Sequence, residues 1–77
     1  MQPRYPTREE AMEYKKRYPA GTRIMLDSMY DDPDPVKPGT KGTVKSVDDG
    51  GTIHCEFDDG RCLGVIPTVD RFHVIGD

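Results

Sequence analysis

Apolar residues in this chain recur at two different periods. Between Thr7 and Tyr18 they fall at Ala11, Tyr14 and Tyr18, the three- and four-residue spacing of one helical face. From Ile24 onward they alternate with polar residues in short runs, the spacing of half-buried strands. The pattern therefore predicts one helix followed by several strands.

The helix is predicted over about Thr7 to Tyr18. Thr7 can cap its start, and Glu10 follows at the spacing of a capping box. Glu9 and Glu10 suit the positive helix start, and Lys15, Lys16 and Arg17 suit its negative end. Glu13 and Arg17 have the i,i+4 spacing in the favourable order. Pro19 ends the element because it disfavours helical geometry at Tyr18.

The first strand is predicted to start at Gly21 and Thr22 and to run to about Met29, with Ile24 and Leu26 inward. The second runs from Thr40 to Asp48. Val44 and Val47 are three apart, which breaks strict alternation and predicts a bulge near Lys45 and Ser46. The third runs from Thr52 to Phe57, with Ile53, Cys55 and Phe57 inward and His54 and Glu56 outward. The turn Asp58-Asp59-Gly60 admits two registers. A three-residue loop with Gly60 left-handed sets Leu63 opposite Cys55 and Val65 opposite Ile53, so all the large side chains share one face. That register is the expected one, and it leaves Cys62 outside and Cys55 inside, with no disulfide between them. Pro67 to Asp70 is expected as a tight 3₁₀ turn, and Arg71 to Ile75 as a last strand with Phe72 and Val74 inward. The stretch from Lys41 to Ile66 is thus an antiparallel meander, and the whole reads as mainly β: an SH3-like five-stranded small barrel with an N-terminal helix.

Length bounds this to one domain over 7–77, preceded by an arm at 1–6 that holds Pro3 and Pro6. Seven prolines and eight glycines in 77 residues agree with short strands and many turns. Two cysteines are too few for a disulfide framework. The polar N-terminus carries no leader pattern and no stretch is long enough to cross a bilayer, so the expectation is a cytoplasmic monomer with reduced thiols and no membrane contact.

Charge changes the picture more. Residues 1–24 carry six basic and three acidic side chains, whereas residues 25–77 carry five basic and eleven acidic ones. The acidic body repels phosphate backbones and weighs against nucleic acid as its partner. The segment from Tyr30 to Gly39 contains three prolines and three aspartates and reads as a long exposed loop. Tyr30 supplies an aromatic anchor there, and Asp31, Asp32 and Asp34 supply negative charge; together they are the candidate binding residues for a protein partner. The competing site is basic: Lys15, Lys16 and Arg17 lie between Tyr14 and Tyr18, and Arg23, Lys41 and Lys45 can extend that surface toward phosphates and bases.

No enzyme, cofactor or metal is expected. His54 and Cys55 are adjacent on a strand and point to opposite faces, so they cannot converge with Cys62 on one ion. The aspartates at 31, 32 and 34 lack the ordered oxygen spacing of a calcium loop. Cys62 has Arg61 beside it, but Asp58 and Asp59 counter the charge that a reactive thiolate needs.

Several segments resemble a bacterial family known only as domain-of-unknown-function family 4314. They are Tyr18-Pro-Ala-Gly-Thr-Arg-Ile-Met-Leu26, Pro38-Gly-Thr-Lys-Gly-Thr-Val44, Ile53 to Gly60, and Leu63-Gly-Val-Ile-Pro67 with Asp70-Arg-Phe72. The resemblance covers roughly Tyr18 to the end. It implies a short SH3-like bacterial domain, often carried on phages or mobile elements, with no catalytic residues. The ten residues from Pro38 to Val47 are also similar to the KOW motif of ribosomal and transcription proteins, which supports the nucleic-acid alternative. The sequence reading is thus a non-catalytic protein-interaction module, with a KOW-like nucleic-acid module as the alternative.

Overall fold

A computed structural model of the chain describes residues 5–29 and 34–76. It contains helix α1 (Arg8–Arg17) and strands β1 (Arg23–Ser28), β2 (Lys41–Val47), β3 (Ile53–Phe57), β4 (Cys62–Val65) and β5 (Arg71–Val74). The strands form one antiparallel sheet in the order β4-β3-β2-β1-β5, so β4 and β5 are its edges.

The helix begins where the capping box places it. Thr7 Oγ1 accepts from the Glu10 amide at 3.2 Å, and Glu10 Oε1 accepts from the Thr7 amide at 2.9 Å. Tyr18 is the C-cap, with its amide donating to the Tyr14 carbonyl at 2.8 Å. Ala11 and Tyr14 are the buried positions of the helix, as the periodicity requires.

Registers follow the period-two pattern. In β3, Ile53, Cys55 and Phe57 are buried and His54 and Glu56 are exposed. Cys55 stands opposite Leu63, and Ile53 opposite Val65. The three-residue loop is closed by the Phe57 amide on the Arg61 carbonyl at 2.7 Å, and Gly60 has φ +94°, the left-handed conformation that loop needs. The β2–β3 ladder shifts register between Val44 and Ser46, which turns Val47 back against the core.

Three expectations are corrected. The segment before β2 is not simply an exposed loop: Val36 is fully buried among Ile24, Leu26, Val44, Ile53, Cys55, Phe57 and Val65. A lone valine set between prolines and charges has no period to betray it. Val74 is 53 % exposed although it stands opposite Ile24, because β5 is an edge and no further strand covers its outer side. The turn at 66–70 uses both an i+3 bond, Val69 amide to Ile66 carbonyl at 2.9 Å, and an i+4 bond, Asp70 amide to the same carbonyl at 2.7 Å. Asp70 then returns its carboxylate to the Ile66 amide at 2.9 Å, so the two ends of the turn hold each other. This makes Asp70 the buried charged residue of the described chain, 7 % exposed.

Candidate functional site

Two ends of the β2–β3 hairpin collect the charged side chains that the sequence singled out. One end holds the start of β2, the stretch of β1 paired with it and the 58–60 turn. Arg23 faces outward on β1, opposite Thr43 of β2. Its guanidinium donates to Thr43 Oγ1 at 2.9 Å and forks onto both carboxylate oxygens of Asp58, at 2.8 and 2.7 Å. The Arg23 fork, helped by Lys41, holds the Asp58 carboxyl below its usual range. The Asp58 amide also donates to the Lys41 carbonyl at 2.9 Å, so this turn is tied to β2 by backbone as well.

The 34–40 segment joins the same end. Arg61 donates from Nη2 to the Asp34 carbonyl at 2.5 Å and lies 3.6 Å from the Asp34 carboxylate. Val36 is sunk in the core two residues on. The Gly39 amide then bonds the Leu26 carbonyl at 2.7 Å, and the Leu26 amide bonds the Thr40 carbonyl at 2.9 Å. The Asp34 carboxylate itself stays outside, 89 % exposed. Tyr30, Asp31 and Asp32 lie outside the described residues.

The opposite end of the hairpin carries the 48–51 turn and the helix. Asp48 Oδ1 accepts the Gly50 and Thr52 amides at 3.0 and 2.9 Å, and Oδ2 meets His54 Nε2 at 2.9 Å. Those contacts, His54 first, hold the Asp48 carboxyl below its ordinary value. Lys15 pairs with Asp49 and depresses that carboxyl in turn. Arg17 pairs with Glu13 at 3.3 Å, and the Tyr18 hydroxyl first, then Glu13, holds its guanidinium above its ordinary value.

The basic candidates are therefore not one surface. Lys15 lies on the helix beside the 48–51 turn, Arg17 lies at the helix end near Pro67 and Arg71, and Arg23 lies at the far end of the hairpin. Lys15, Arg17 and Arg23 each carry an acidic partner, and Lys45 pairs with Glu56 at 3.3 Å. Lys16 is exposed, with no ion pair among the described residues.

One feature went unread in the sequence. Tyr14, Tyr18 and Phe72 form a continuous aromatic row, with centroids 6.2 Å apart between the tyrosines and 5.3 Å between Tyr18 and Phe72, the latter edge-on. Beside it, Pro67 and Asp70 of the turn, together with Arg17 and Arg71, complete an open groove of about 470 Å³. The i,i+4 tyrosines were the available signal, but the spacing alone spoke only of packing.

The two cysteines separate as the register requires: Cys62 is exposed and Cys55 buried, both free. Burial pushes the Cys55 thiol up to about 11. Native protein treated with a thiol-reactive dye near neutral pH is expected to take up one label, at Cys62, and a second only after denaturation. Rapid labelling of both in the native state would contradict the β4 register. Among the described residues no three His, Cys, Asp or Glu side chains are placed to hold a metal ion, and no helix is long and apolar enough to cross a membrane.

No curated protein and no solved structure matches this chain. A family model does match, over residues 7–75, and so takes in the helix as well as the five strands. The chain belongs to the family described as Domain of unknown function (DUF4314).

Proposed function

We propose that this chain is a non-catalytic protein-interaction module of SH3-like build, which binds a basic, proline-containing peptide against the acidic segment before β2. The strand order, with β1 between β2 and β5, is the order of an SH3-like small barrel. The observation that carries the reading is how residues 34–40 are held. Arg61 fixes the Asp34 carbonyl, Val36 anchors in the core, and the backbone is bonded to β1, while the Asp34 carboxylate, paired loosely with Arg61 at 3.6 Å, stays 89 % exposed. A preformed backbone that presents an acid loses little entropy when an extended peptide arrives. Tyr30, Asp31 and Asp32 adjoin Asp34 in sequence and would add the aromatic anchor and most of the charge. The pairing of Lys15 and Arg23 with carboxylates from distant turns makes a phosphate-binding role the weaker reading.

The test is a titration of ¹⁵N-labelled protein with a Lys/Arg- and Pro-containing decapeptide, beside a mixed-sequence single-stranded oligonucleotide, at low and moderate salt. The peptide is expected to give saturable shifts around Asp34 to Lys41, lost in Tyr30→Ala and reduced in Asp34→Asn. Shifts from the oligonucleotide alone, centred on Lys15 to Arg23 and steeply salt-sensitive, would replace this reading with the nucleic-acid one.

A further inference from the structure

We propose that the groove between α1, the 66–70 turn and β5 is a second binding site, independent of the acidic segment, and that it takes a short acidic peptide segment carrying an apolar side chain. Its floor is the row Tyr14, Tyr18 and Phe72, with Pro67 at one side. Tyr18 and Phe72 are only partly covered by the core they pack on, so their remaining surface is open to an incoming apolar group. Its charged rim is Arg17 and Arg71. A groove of aromatic rings edged by guanidinium forks has the composition of an interface centre.

The charge at this groove selects the partner. Arg71 is exposed and has no ion pair among the described residues. Arg17 holds Glu13 by a single 3.3 Å contact between two exposed side chains, a weak, solvent-screened pair that an incoming carboxylate can displace. The Asp70 carboxylate, the acid in the lining, faces the Ile66 amide and is almost wholly buried, so it is committed to the turn. Two planar guanidinium forks suit carboxylates, which they can bind bidentately. A long polyanion would also meet these forks, but it would have to continue over a body that carries eleven acidic and five basic side chains from residue 25 to 77. A short acidic segment places its charge at the groove alone.

The experiment uses the full chain and a fluorescein-labelled dodecapeptide of alternating Glu, Asp, Leu and Tyr, followed by polarisation and by amide shifts. A peptide with Gln and Asn in place of the acids, and an oligodeoxythymidine of twelve nucleotides, serve as comparisons. The acidic peptide is expected to bind saturably, with shifts at Arg17, Tyr18, Arg71 and Phe72. Arg71→Gln should weaken it about tenfold, the loss of one charge-assisted contact. Lys16→Gln, on the same helix but outside the groove, should weaken it less than twofold. Amide dispersion of each variant establishes that it is folded. Equal binding of the Gln/Asn peptide, unchanged binding in Arg71→Gln, or tighter and more salt-sensitive binding of the oligodeoxythymidine would each overturn the proposal.

Discussion

Phe57→Ala is expected to lower the stability of the domain by about 3–5 kcal/mol, the usual cost of removing a buried aromatic ring. The total available to a chain of this length is about 4–12 kcal/mol, so the variant should be largely unfolded at 37 °C if the domain sits near the lower end. The reasons are local. Phe57 is the largest fully buried side chain, and it ends β3 at the point where the chain reverses into the 58–60 turn. It stands opposite Gly42 of β2, and its ring fills the space above that glycine: a Cβ built there would lie 2.7 Å from Phe57 Cδ1. Without the ring, Gly42 opposite it offers no side chain to collapse into the void, so much of the cavity persists and its penalty is felt. Urea unfolding followed by far-UV circular dichroism reads the loss directly. Phe57→Leu keeps most of the volume and should cost less than half as much. A loss below about 1 kcal/mol for Phe57→Ala would mean that the ring is not where the core needs it.

The same residue shows which parts of the fold were legible. Ile53, Cys55 and Phe57 alternate strictly, and only one loop length lets Leu63 and Val65 share their face, so pattern and turn chemistry fix the β3–β4 register together. Val36 lacks any such support. Its burial depends on where β1 and β2 leave a gap, which is a property of the assembled sheet. Val74 failed for the converse reason: its alternation is right, but whether a face is covered depends on the neighbour that an edge strand lacks. At the candidate sites the charges were legible and their partners were not. Asp58 lies 35 residues from Arg23, and Asp49 lies 34 from Lys15, so neither pairing follows from local spacing. Those two pairings are what dissolve the basic surface the sequence suggested. The aromatic groove was hidden in the same way, since Phe72 meets Tyr18 only after the chain has returned through β5.

Gly51→Ala is expected to cost about 2–3 kcal/mol and to loosen the helix before the sheet. Two effects add there. Gly51 has φ +89°, where any side chain is strained by about 1–2 kcal/mol. The new methyl would also lie 2.7 and 2.8 Å from Pro6 Cβ and Cγ and 3.5 Å from Ala11 Cβ. Pro6 and Ala11 must then move away from the turn, and with them the first half of α1, because its contact with the sheet is slight and Ala11 is one of its two buried residues. Gly60→Ala supplies the reference. Its φ of +94° imposes the same backbone strain, but nothing lies within 4 Å of the added carbon. The difference in unfolding free energy between the two variants therefore isolates the cost of displacing the helix. Hydrogen exchange should show the amides of α1 losing protection in Gly51→Ala while β2 and β3 keep theirs, and no such asymmetry in Gly60→Ala. Equal losses with uniform exchange in both would mean that the helix does not rest on the 48–51 turn.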